Sequence, residues 1–213
     1  MMIHLIKKDF LLTKKYLILT MFFGFIIPIL YSLIAPILLG FPTLVMSVLL
    51  VGVLLVGNAF IEEEKYPKAE MLLCSTPYTK RALIIEKYIF TFLVFIYCCI
   101  TYKCVSLILP SIFFPDFKTV LEALLIYAIF WGFSLPLQYK FGIQSTKIIL
   151  SLGICVFPVA ATFLRNVSFD WMQISMFGEL TDLWQSVILI IIIILVEVLS
   201  FSTSSKIYMR KEF

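Results

Sequence analysis

FIEEEKYPKAEMLLCSTPYTKRALIIEK, from Phe60 to Lys87, is the one long polar interruption in a chain that otherwise reads as hydrocarbon. It holds three consecutive glutamates, two prolines and a group of basic residues, and apolar runs flank it on both sides. Of the 213 residues, 62% are hydrophobic and only 14% charged, with a mean hydropathy of +1.07. Soluble domains are about half apolar and a quarter charged. The composition is that of an integral membrane protein, and its fold is a count of spanning helices.

Each crossing needs about 20 mainly apolar residues. Six stretches meet that length, approximately residues 16–39, 42–61, 83–109, 119–138, 148–164 and 183–204, within a single transmembrane domain of residues 1–213. Gly40-Phe41-Pro42 is a turn between the first two spans and leaves no room for a domain. Pro28, Pro36, Pro110, Pro136 and Pro158 predict kinks or helix ends. The start, MMIHLIKKDFLLTKKYLIL, sets Ile3, Leu5, Ile6, Phe10 and Leu11 against two lysine pairs, which predicts an interfacial helix over residues 2–15 with its lysines on the anionic leaflet. No small-residue cleavage site follows, so the first helix is expected to be retained.

Basic residues set the orientation. With the amino terminus in the cytoplasm, 14 of the 17 lysines and arginines fall inside and only Lys103, Lys118 and Arg165 outside, which predicts a multi-pass protein with both termini cytoplasmic. The net charge of +4 is then topological. The basic residues form no stripe for nucleic acid.

Catalytic and metal chemistry finds little footing. The five cysteines make no C-x-x-C pair, and His4 is the only histidine, so neither a histidine metal site nor a Ser-His triad can be built from one chain. Glu62-Glu63-Glu64 superficially resembles the start of the active site of membrane-embedded prenyl-protein proteases, but the later histidines of those enzymes are missing. The glutamates lie past the apolar run and are expected to be solvated. No G-x-x-x-x-G-K-[ST] loop occurs, so nucleotide use would require another subunit. Asn166-Val167-Ser168 is a chance-level sequon.

Four local sequences carry a family resemblance: LIKKDFLLTKKYLIL at the start, STPYTKRALIIEKYIF leading into the third span, PLQYKFG at Pro136 to Gly142, and SSKIYMRKEF at the end. Together they resemble the permease subunits of type-2 ABC transporters, in a small bacterial exporter-like branch. The resemblance implies a membrane half-transporter, paired with a second copy or a sister permease above two cytoplasmic ABC ATPase subunits. ATP and Mg would lie on those subunits, with no cofactor on this chain. It further implies a bacterial cell-membrane location and a short cytoplasmic coupling helix between spans two and three that rests in a groove of the ATPase.

Residues 62–81 suit that role physically. Negative charge at Glu63 and Glu64 can end the second span or favour a helix start, and Pro67 can take a first helical position. From Lys68 onward, Ala69, Leu72 and Leu73 share one face, an apolar stripe for a partner groove. Thr76-Pro77 breaks it, Thr79 can cap the third span, and Lys80 and Arg81 add charge. A loop that serves only topology would need these charges and not the leucines.

Charges within the spans are costly, about 2.5–3.5 kcal/mol each, so Glu197 in the last span should face protein or water. It is read as either a gate or substrate-path residue or a helix-packing group near Ser200 and Ser202. Lys103 and Glu122, at the outer ends of spans three and four, are expected to pair. The expectation is an all-α membrane permease without catalytic residues, exporting a hydrophobic or amphipathic substrate, such as a peptide, on energy from a separate ATPase. The alternative is a non-transport membrane protein, such as an immunity, assembly or sensor factor.

Overall fold

The computed structural model describes residues 2–34, 39–65, 80–109, 112, 114–166 and 182–209. Among them the regular elements are all helical: α1 (Met2–Leu12), α2 (Lys14–Ile34), α3 (Phe41–Gly52), a π-helical turn (Val53–Gly57), α4 (Asn58–Glu64), α5 (Lys80–Ile108), α6 (Phe117–Asn166) and α7 (Asp182–Met209). Among the described residues five helices are long and apolar enough to cross a membrane: Lys14–Ile34, Phe41–Glu63, Arg81–Ile108, Phe117–Gly142 and Trp184–Met209.

Burial is uneven in a way that orders the bundle. The second span is central. Its Leu44, Val48, Leu49, Leu55 and Val56 are buried against Phe90, Val94 and Cys98 of α5 and against Tyr127, Trp131 and Leu135 of α6. Helix α7 instead leaves Ile191, Ile194, Leu195, Val198 and Leu199 uncovered, and α2 exposes Ile18, Phe22 and Leu33. Such faces suit hydrocarbon, which solvates them as well as leucine would, so helix association in a bilayer rests on close packing and polar contacts. Both occur here. A Cβ on Gly52 would stand 3.0 Å from the Tyr127 ring and 3.1 Å from the Trp131 indole nitrogen, so any side chain there would make the rings give by a few tenths of an ångström. Ser200 on α7 donates to the Gly132 carbonyl of α6 at 2.7 Å, and the Tyr88 hydroxyl of α5 lies 2.6 Å from Ser200 and 2.8 Å from Ser204.

The ends of the bundle are distinct. At one end Leu5 of α1, Leu83 and Ile84 of α5 and Tyr208 of α7 form a buried cluster. Tyr139 of α6 packs edge-on against Tyr208 and against Phe60 of α4. At the other end Lys118, in the first turn of α6, donates to Gln185, near the start of α7, at 2.6 Å. The first part of α6 and all of α7 therefore run side by side in the same direction.

Several sequence expectations change in detail. The amino-terminal helix stops at Leu12 and not near residue 15. Thr13 turns the chain there by accepting from the Tyr16 N–H, and α2 already begins at Lys14. Helix α1 also buries one face on protein, since Leu5 and Asp9 are fully covered. Pro28, Pro136 and Pro158 lie inside helices without ending them. The break comes instead at Gly142, with φ 77° and ψ 167°, a conformation open to glycine. Gly40, at φ 97°, makes the expected turn ahead of Pro42. The last helix runs to Met209, past the expected limit near residue 204, because Tyr208 has a buried seat and Lys206 suits the negative end of the helix dipole.

Candidate functional site

The polar interruption begins where α4 ends and finishes where α5 starts, and the structure ties these two points together. Glu63, in the last turn of α4, bridges two lysines: its Oε1 lies 2.7 Å from Lys8 Nζ and its Oε2 2.9 Å from Lys87 Nζ. Lys87, in the second turn of α5, also reaches Asp9 Oδ2 of α1 at 2.8 Å and sits 5.0 Å over the Phe60 ring. Lys8 lies 3.5 Å from Asp9 Oδ1 and 3.6 Å from Glu86 Oε1. Three helices that are remote in sequence thus share one ionic knot.

The centre of the knot is buried. Asp9, Glu86 and Lys87 are buried, at 0%, 1% and 3% exposure, while Lys8 and Glu63 lie at its rim. Buried charges persist only when paired and hydrogen-bonded. Lys87 meets this with two carboxylates and a ring face. The balance is uneven, with two lysines against three carboxylates, and neither Glu86 oxygen has a hydrogen bond among the described residues. At Lys8, burial works against the charge and Lys87 repels it, but Glu63, Asp9 and Glu86 outweigh both and hold its ammonium above the ordinary value. Beside the knot, Glu62 pairs with Lys65 at 2.7 Å and accepts from Tyr16 at 3.4 Å.

Of the glutamates expected to be solvated, Glu62 and Glu63 are therefore tied down, Glu63 most firmly, because lysines from two other helices converge on it. Glu64 closes α4, Lys80 opens α5, and Arg81 is exposed. Lys68, Ala69, Leu72, Leu73 and Thr79 lie outside the described residues, as does the coupling helix itself. The sequence alone does not single out Asp9 or Glu86; it gives Lys8 an interfacial role on the anionic leaflet and Lys87 a topological one. A trace was present: Lys87 falls on the stripe formed by Leu83, Phe90, Val94 and Cys98, an apolar face where lysine is misplaced unless it is paired.

Of the intramembrane charges, Lys103 is exposed near the end of α5, its Nζ 5.5 Å from the Phe114 ring centre. Glu122 is half-buried in the second turn of α6. Glu197 lines a groove between α5, α6 and α7. No group of three or more histidine, cysteine or acidic side chains placed to hold a metal occurs among the described residues.

Searches of curated proteins and of solved structures found no significant match. The family comparison is positive: residues 4–209 match the model of the ABC-2 family transporter protein, from the first turn of α1 to the last residue of α7. A match over nearly the whole chain, joined to an all-helical membrane fold, shows that this protein belongs to the ABC-2 transporter family, as a membrane-spanning permease subunit.

Proposed function

We propose that the chain is the membrane half of an ATP-driven exporter for a hydrophobic or amphipathic substrate, with an ATPase of the ABC class docking on residues 62–81. The observation that carries this reading is the ionic knot. It fastens the end of the second span, the start of the third and the amino-terminal helix to one another immediately beside the polar segment. A push on that segment would reach both spans together, as mechanical coupling requires. The reading includes six crossings and works as a pair, with a second copy or a sister permease above two ATPase subunits.

The test is a double substitution in the segment, Leu72→Asp with Leu73→Asp. Two leucines buried in a partner groove contribute on the order of 2–4 kcal/mol together, and the new carboxylates would be desolvated. The variant should insert in the membrane normally, lose co-purification with its ATPase and lose export. If it binds the ATPase and exports like the wild type, the segment is a topological loop and the docking is wrong. A partner-free, monodisperse monomer from the native membrane would favour a non-transport role.

A further inference from the structure

Glu197 lines a groove of about 530 Å³ between α5, α6 and α7, a volume within the range of ligand sites. The walls are apolar side chains such as Ile193 and Ile194 together with four aromatic residues, Tyr88, Phe92, Tyr127 and Phe201. Other polar groups at the wall are engaged in internal bonds. The Tyr88 hydroxyl is held by Ser200 and Ser204, Tyr127 donates to the Thr91 carbonyl, and the Thr91 hydroxyl donates to the Lys87 carbonyl. Glu197 alone among these groups has no hydrogen bond or ion pair within the described residues. The groove also opens sideways, because Phe92, Ile194 and Val198 on its rim are all more than half exposed on the face that lipid would cover.

We propose that this groove binds the cationic end of an amphiphile, an amine or quaternary ammonium carried on an apolar body, entering from the bilayer. A carboxylate in hydrocarbon is costly unless a cation shares its site. Aromatic faces add attraction for such a cation, and the remaining wall suits an alkyl or aromatic body. An amine in a lipid headgroup is the less suitable source. Ser204, whose partner Tyr88 adjoins Lys87 of the ionic knot, marks the charged end of the bundle. Glu197 lies seven residues earlier in α7, deeper by about 10 Å at about 1.5 Å per residue. The proposal deepens the export reading, because it names the substrate class, but its test needs no ATPase.

The experiment uses the full-length protein in lipid nanodiscs and a dodecylamine carrying a diazirine on its chain, with adducts mapped by mass spectrometry. Adducts are expected on peptides spanning residues 85–92 and 193–201. Excess dodecyltrimethylammonium should suppress them, whereas dodecanol and dodecyl sulfate should not. Glu197→Gln should lower this labelling at least about fivefold, and Glu197→Asp should retain a measurable part. Equal competition by dodecanol would reduce the groove to a seat for lipid chains and overturn the proposal, as would unchanged labelling of Glu197→Gln. Suppression when phosphatidylethanolamine replaces phosphatidylglycerol in the nanodiscs would assign the site to a headgroup and overturn it as a cargo site. Loss of ATPase co-purification in the Leu72/Leu73 variant with labelling intact separates failure at the dock from failure at the groove.

Discussion

Lys87 is the residue on which the ionic knot turns, because it alone touches carboxylates from both α1 and α4 while being almost fully buried. Removing one partner of a buried pair leaves uncompensated charge and costs about 3–5 kcal/mol, whereas neutralising partners together is milder. Lys87→Met should therefore lower the detergent melting temperature markedly, and Lys87→Met combined with Glu63→Gln should recover part of the loss. Purified variants followed by a thermal-shift assay would show this as non-additivity. Strict additivity would mean that the two side chains do not interact. The sequence made such a knot hard to read, since its members lie at positions 8, 9, 63, 86 and 87 and each alone has an ordinary explanation as a topological or solvated charge. Pairing across α1, α4 and α5 is a property of packing, and local spacing does not encode it. Glu197 stands out for the opposite reason: a single carboxylate inside an isoleucine run must face protein or water, as a substrate-path residue or as a helix-packing group.

At the scale of elements, five of the six expected spans coincide with helices long and apolar enough to cross, because a bilayer imposes length and apolarity directly on the sequence. Their ends were less legible. Tertiary seats decide where a helix stops, as Tyr208 does for α7 and Thr13 for the α1–α2 turn. The π-helical turn Val53–Gly57 was not anticipated, because nothing in VGVLLVG distinguishes a wide turn from an α-helical one. It follows directly on Gly52, where Tyr127 and Trp131 press closest. Wide turns of this kind recur at functional sites, and this one lies in the same span as Glu63. Gly52→Val would force branched methyls into the two rings, and overpacking of a tight core costs about 1–3 kcal/mol. The expected outcome is a lower melting temperature together with altered indole fluorescence from Trp131. A Gly52→Val protein with wild-type melting and emission would show that the approach of α6 to the second span is loose.

For the whole molecule, the question is how the chain travels from the Gly142 bend to the start of α7. Tyr139 packs with Tyr208 at the end where α1 lies, and Lys118 meets Gln185 at the far end. Gly142 and the start of α7 therefore lie at opposite ends of the bundle, and α7 runs the length between them. Helix α6 continues past Gly142 to Asn166, and its 24 residues after the bend extend about 36 Å, enough for a hydrocarbon core of about 30 Å. Lys147 and Arg165 stand near its two ends, as interfacial charges would. A crossing here makes the count six and leaves α1, the polar segment and the end of α7 on one face. The prediction uses a variant with all native cysteines replaced by serine. A cysteine placed at Lys140, which is exposed just before the bend, should react with an impermeant maleimide only in inside-out vesicles. One placed at Asn166 should react only in intact cells. Lys206→Cys should behave like Lys140→Cys, because Tyr139 and Tyr208, close to them in sequence, pack together at the α1 end of the bundle. If Lys140→Cys and Asn166→Cys react from the same side, residues 143–166 do not cross. The face carrying the ionic knot would then need another route for the chain to reach Asp182.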